Sequence, residues 1–210
     1  MKKTLFIIPL ICLLCGAAHA QRKIEYGFRV GGGLAIQHID NSGILSNQSV
    51  RTFTAGVFTN VPVLKEYYLR GGVSLTTKGT EYTEDALTTT NKIRYIEIPV
   101  DLMRKYSIPK LGKLIAGAGF YAASTNGGSL TYETPNSTTS NKAEFGSDYD
   151  FTRYDAGINL LAGLELDNRL TFNLGYDLGL MNIASQAVKD SGYKGIYNRE
   201  FTITLGLIFK

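Results

Sequence analysis

The chain has 210 residues, enough for one domain of ordinary size and few for two. Its formal charge of +4 falls to +2 without Lys2 and Lys3, so it has no strongly basic surface of the kind nucleic acid requires. Cys12 and Cys15 are the only cysteines and both lie in the first 20 residues, which excludes disulfides, thiolate metal sites and a cysteine nucleophile from the rest.

Those first 20 residues read as a secretory signal. Lys2 and Lys3 form the positive start, Leu5 to Leu14 the apolar stretch, and Ala18-His19-Ala20 the cleavage site, which leaves Gln21 as the mature N-terminus. The apolar stretch is shorter than the roughly 20 residues a membrane-spanning helix needs. Leu14 is too bulky to precede a lipid-attachment cysteine, so Cys15 is not read as one. The predicted organisation is a cleaved signal over residues 1–20 and one domain over 21–210.

Beyond the signal, apolar and polar residues alternate with the period of strands. The first segment sets Tyr26, Phe28, Val30, Gly32, Leu34 and Ile36 against Gly27, Arg29, Gly31, Gly33, Ala35 and Gln37. No helix pattern follows Gly31-Gly32-Gly33, so strand bending or close packing explains it better than a phosphate-binding turn. Phe53, Ala55, Val57 and Val61 mark a second segment, and Tyr67, Leu69, Gly71, Val73 and Leu75 a third. Ile96, Ile98, Val100 and Leu102 form the fourth, and Leu114, Ala116, Ala118, Phe120 and Ala122 the fifth. Ala156 to Leu166, Leu170 to Leu178 and Phe201 to Phe209 alternate in the same way. Most of the eight segments are near the roughly 9–11 residues of a tilted membrane strand.

The parity of the charges decides which face is which. Arg29, Arg70, Lys78, Glu97, Asp101, Asp155, Glu165 and Asp177 all fall opposite the apolar face. A one-residue slip would turn every one of them over, and a basic residue facing lipid at the bilayer midplane costs about 2–4 kcal/mol. Arg94 and Arg104 break the parity and are expected near strand ends, where long side chains snorkel to the headgroups. Phe58, Ile115, Tyr121, Leu161 and Ile208 fall on the polar face and predict a packed interior.

The connections alternate long and short, at about 39–50, 62–66, 83–92, 107–113, 126–153, 167–168 and 182–195. That alternation matches short periplasmic turns and long extracellular loops. The mature part has no apolar run of transmembrane-helix length, so spanning requires a closed barrel. The predicted fold is all-β: an eight-stranded antiparallel up-and-down transmembrane β-barrel.

The run Arg94-Tyr-Ile-Glu-Ile-Pro-Val-Asp-Leu-Met-Arg-Lys-Tyr106 resembles the Y-[LI]-E-I-P-x-x-[LM] strand of the PorT-like outer-membrane β-barrel family. Phe53 to Pro62, Thr77-Lys78-Gly79, Asp155 to Glu165, Tyr176 to Ile183 and Phe201 to Lys210 are similar to other pieces of that family, in order. The resemblance implies an outer-membrane barrel inserted through its C-terminal strand, where Phe209 precedes the final Lys210. It also implies an accessory role in an envelope assembly such as a secretion apparatus, and it carries over no catalytic residue.

Three sites are weighed on their own residues. His38, with Asp40 and Ser42 nearby, lacks the constellation of nucleophile, base and orienting group that catalysis needs. The inward charges read as a paired plug rather than an ion path, because eight strands leave an interior just wide enough for side chains. Residues 126–153 are rich in Gly, Ser, Thr and Asn and carry Tyr132, Phe145, Asp148, Tyr149 and Asp150 as candidate surface-recognition residues. Asp148 and Asp150 lack the spaced ligand set of a calcium loop.

The expected role is therefore a non-enzymatic outer-membrane scaffold or partner-binding barrel without cofactor or metal. Its surroundings are outer-membrane lipid, and its long loops would meet an envelope or extracellular protein. A small solute pore is the second reading and a soluble, exported lipocalin-like barrel the third; the last needs apolar residues inside, where the ionic ones fall.

Overall fold

The computed structural model describes residues 23–40, 47–84, 86–191 and 194–209. The expected signal segment with Gln21, and also Ser42 and Lys210, lie outside these residues. The described elements are β1 (Glu25–Asp40), β2 (Asn47–Gln48), β3 (Val50–Pro62), β4 (Tyr67–Glu84), β5 (Leu87–Ile108), β6 (Gly112–Thr134), β7 (Ser137–Lys142), β8 (Tyr154–Leu166), β9 (Leu170–Gly179), a short helix α1 (Gln186–Asp190) and β10 (Gly195–Phe209).

Eight strands pair antiparallel around a ring in the order β1, β3, β4, β5, β6, β8, β9, β10, and β10 returns to β1. The closing seam runs from Tyr26 opposite Phe209 to Asp40 opposite Gly195. Closure pairs every spanning strand on both sides, which is what lipid demands of a sheet. At this seam the glycine triplet is needed for close approach: a Cβ on Gly33 would stand 1.8 Å from the Phe201 carbonyl oxygen.

Residues 63–66, 109–111 and 167–169 make the short turns, at the end that also holds Glu25 and Phe209. Lys110 and Arg169 adopt φ of 65° and 74°, the left-handed conformation that reverses a tight hairpin. The outward rows are apolar and open: Phe28, Phe53, Val57, Leu75, Ile98, Phe120, Leu160 and Ile203 are all exposed. So large an apolar exterior fits lipid rather than water. On β5 it lies between outward Arg94 and Arg104, an interval of about 33 Å along the strand at ~3.3 Å per residue. At the usual tilt that is a band about 25 Å tall.

Two expected connections are largely regular structure, and a third contains a short helix. β4 and β5 stay paired to Glu84 opposite Leu87, so most of 83–92 is hairpin. Its Thr-rich residues stand above the band, where neither face needs to be apolar and no alternation marks a strand. Of 126–153, β6 takes the residues to Thr134 and β7 pairs back on it, from Thr134 opposite Ser137 to Ser129 opposite Lys142. Here a β-bulge hides the strand: Tyr95 pairs with Thr125 but Ile93 with Gly128, and Gly127 has φ 118°. The extra residue reverses the parity, so Tyr121 and Ala123 are buried below it and Leu130 above it. The third connection, 182–195, contains α1, capped by Ser185 Oγ accepting from Val188 N. Arg94 also lies well inside β5, since the strand continues above the band.

Candidate functional site

Two places need description: the lumen and the outer rim. In the periplasmic third of the lumen, Lys105 on β5 binds the carboxylates of Glu25 and of Glu165, the latter at 2.6 Å. Asn60 Nδ2 donates to Glu25 at 2.9 Å and Arg70 Nε to Asn60 Oδ1 at 2.9 Å. The Arg70 guanidinium stacks 4.5 Å from the Phe58 ring centroid and the Lys105 ammonium 4.6 Å from that of Tyr68. Met103, Ile115 and Leu161 pack beside these groups.

Higher in the lumen, Lys78 Nζ lies 2.7 Å from Glu97, 3.1 Å from Asp177 and 3.9 Å from Asp155, and 3.8 Å from the Tyr121 ring centroid. Neutral donors add hydrogen bonds to the carboxylates, although among the described residues Asp155 Oδ1 and Asp101 Oδ1 stay buried without one. Asn159 donates to Asp177 at 2.6 Å, Asn198 and Tyr121 to Asp155 at 2.9 and 3.1 Å, and Thr76 to Glu200 at 3.0 Å. Gln37 donates to Asn198 and Asn91 to Gln37, carrying the network across β10, β1 and β5. Charged groups this deep stay charged only when each has such partners. A small cavity among them, about 20 Å³, is lined by Arg29, Glu97, Asn159, Asp177 and Glu200. That is room for about one water.

Thus Lys78, Glu97, Asp155 and Asp177 meet in one cluster, and Glu165 in a second. Arg29 is half-buried beside the small cavity. Arg70 and Asp101 are register partners on β4 and β5, yet they do not come within ion-pair distance among the described residues; Arg70 binds Asn60 instead. Lys105 and Glu25 were not singled out in the sequence. Lys105 shares the parity of Glu97 and Asp101, but it lies at the end of the strand, where parity is easily disregarded.

Above the charges sits an apolar plug. Ile93, Tyr95, Tyr121, Leu130, Phe151, Ile183, Ala184 and Ile196 are buried together. Phe151 bridges Phe145 on one side and Ala184 on the other, so the connections fold down into the barrel mouth. A remaining mouth cavity of about 150 Å³ lies below the roughly 300–1,000 Å³ of ordinary ligand pockets. The buried Phe151 and Ile183, apolar in otherwise polar connections, are the signal in the sequence that could have revealed the plug.

The candidate recognition residues divide between the two sides of this plug. Tyr132 and Phe145 pack against it, and Asp150 Oδ2 accepts from Glu144 N at 3.1 Å. Asp148 and Tyr149 are exposed. On the outer wall, Ser124, Thr125, Gly127, Glu144, Phe145, Tyr149, Arg153 and Tyr154 line an open cleft of about 440 Å³. His38 is exposed at the rim with Nε2 3.1 Å from Asp40 Oδ1, and no hydroxyl is hydrogen-bonded to it among the described residues.

A closed eight-stranded sheet with an ionic, side-chain-filled lumen and an apolar exterior defines a transmembrane β-barrel. The chain belongs to the outer membrane protein beta-barrel domain family, whose model matches residues 18–185, and it is accordingly a protein of the bacterial outer membrane. No curated protein matches it. Similar solved structures include Ail, the attachment invasion locus protein of Yersinia pestis, in complex with the heparin analogue sucrose octasulfate (13% identity, 90% of this chain and 100% of that one, TM-score 0.44). Others are Neisserial surface protein A (10%, 90% and 100%, TM-score 0.48) and OprG from Pseudomonas aeruginosa (11%, 87% and 95%, TM-score 0.43).

Proposed function

We propose that this barrel is a non-enzymatic scaffold or partner-binding protein of the cell envelope, working through its extracellular hairpins. The observation that carries the proposal is the contrast between lumen and surface. Charge clusters and an apolar plug fill the lumen, while β4, β5, β6 and β7 rise above the apolar band as a polar sheet. In that sheet β7 pairs only with β6 among the described strands, and all six of its residues are exposed. A free polar edge of this kind offers backbone groups to a partner. The PorT-like motif on β5 supports the narrower reading, an accessory of an envelope assembly, and the N-terminal pattern supports export by a signal cleaved after Ala20.

The pore reading has less support, because charge clusters and an apolar plug occupy the lumen and the cavity beside Arg29 holds only about 20 Å³. A lipocalin-like ligand barrel needs an apolar interior, and this one is ionic. The test is in-cell cross-linking and affinity purification of the tagged barrel. It is run beside a variant in which Glu133–Thr138 is replaced by a two-residue turn, which keeps the Tyr132–Thr139 pair. A stoichiometric envelope partner captured by the full chain and lost from the variant is the expected result. Recovery of the barrel alone from both contradicts it.

A further inference from the structure

At the outer margin of the apolar band, three outward arginines follow the last apolar side chain of their strands by two residues. They are Arg51 beyond Phe53 on β3, Arg94 beyond Ile96 on β5 and Arg199 beyond Phe201 on β10. Among the described residues none of them has an ion-pair partner. The outward arginine at the periplasmic margin is different: Arg104 donates to Glu66 at 2.9 and 2.6 Å and stacks near Tyr67 and Tyr106. Among the described residues the protein supplies a counter-charge to Arg104 and none to these three arginines.

Arg94 also borders a built cavity. The β6 bulge brings Gly127 beneath its guanidinium, whose Nη2 lies 2.9 Å from where a Cβ on Gly127 would stand. Gly127 is part of the 440 Å³ outer-wall cleft, which Arg153 also lines, its Nε donating to the Phe145 carbonyl at 3.3 Å. Ser124 and Thr125 supply hydroxyls, Tyr149 and Tyr154 exposed rings, and Glu144 one carboxylate on the wall. Bulges characteristically re-aim side chains at sites of function, and this one sets Gly127, which has no side chain, against Arg94.

We propose that this cleft binds the phosphate-bearing sugar headgroup of an outer-leaflet glycolipid. Two guanidinium groups suit a phosphate, the hydroxyls and Glu144 suit sugar hydroxyls, and tyrosine rings suit a sugar's apolar face. Position identifies the source as lipid. Below the cleft, Ile96 and Ile98 on β5 and Ile158 on β8 continue into the apolar band. Between them β6 turns Phe120 outward with Ala118 and Ala122 on either side of it, an apolar surface for an acyl chain to lie against. A headgroup held at Arg94 therefore has its chains already lying on the barrel wall.

The experiment is native mass spectrometry of the purified full chain with three probes: phosphorylated lipid A, the same lipid dephosphorylated, and a deacylated phosphorylated disaccharide. The wild-type protein is expected to retain the phosphorylated lipid about thirtyfold better than the dephosphorylated form, the effect of two basic contacts at a membrane surface. Arg94→Gln combined with Arg153→Gln should abolish that preference, and Arg51→Gln, away from the cleft, should preserve it. Heat-dependent gel mobility verifies that each variant is folded. Equal retention of both lipids by the wild type, or an unchanged preference in the double variant, overturns the site. Binding of the deacylated disaccharide as strong as that of the lipid overturns the lipid as its source.

Discussion

The Lys78 ammonium lies 2.7 Å from the Glu97 carboxylate, and both side chains are buried in the barrel lumen on adjacent strands. Replacing Lys78 by Met leaves Glu97, Asp177 and Asp155 without their shared cation. An unpaired buried charge of this kind costs about 3–5 kcal/mol. Adding Glu97→Gln removes one of the stranded carboxylates and should recover part of the loss. Urea unfolding of the barrel in lipid vesicles measures both, and a double variant whose loss is the sum of the single ones contradicts the coupling.

The orientation of each strand is tested by charge placed on the outward row. Ile98 is exposed in the apolar band, near mid-height between Arg94 and Arg104. Ile98→Arg is expected to cost about 2–4 kcal/mol in vesicles. Glu133→Arg, on the hairpin above the band, should stay within about 0.5 kcal/mol. Equal effects at the two positions would mean that the band is misplaced.

Gly127 is costly to replace, chiefly because of the backbone there. Its φ of 118° strains any L side chain, and a Cβ would press on Arg94. Gly127→Val is expected to lower stability by about 1–2 kcal/mol and to weaken glycolipid retention, while the gel mobility remains that of a folded barrel. Wild-type stability in this variant would contradict the bulge.

The Phe151 side chain is buried in the plug, and its backbone bridges Phe145 and Ala184. Phe151→Ala should loosen the mouth by about 3–5 kcal/mol, the cost of a buried aromatic truncation. Tryptic cleavage after Lys142 and Arg153 reads this directly, and it should accelerate while the spanning strands stay protected.

What the sequence made legible follows from where water ends. In the band one face of each strand must be apolar, so Tyr26 to Ile36 or Leu170 to Leu178 reveal both strand and orientation. The inward parity of Lys78, Glu97, Asp155 and Asp177 likewise anticipates that these residues share the lumen. It does not say which of them touch, because contact depends on the stagger between strands: Arg70 and Asp101 face each other in register and still do not pair. Above the band the constraint lapses. The Thr-rich ends of β4 and β5 look like loop, and the bulge at Gly127 interrupts the only alternation that β6 offers. Apolar Phe151 and Ile183 within polar connections were the readable trace of the plug.

Planar-bilayer recording of the purified wild-type barrel tests the central claim, a filled lumen with function at the outer surface. With Lys78 and Lys105 held in their carboxylate clusters and Phe151 in the mouth, no unit conductance steps are predicted. Reproducible steps of fixed size, lost when the folded barrel is heat-denatured, would contradict it and make passage through the lumen the function to explain.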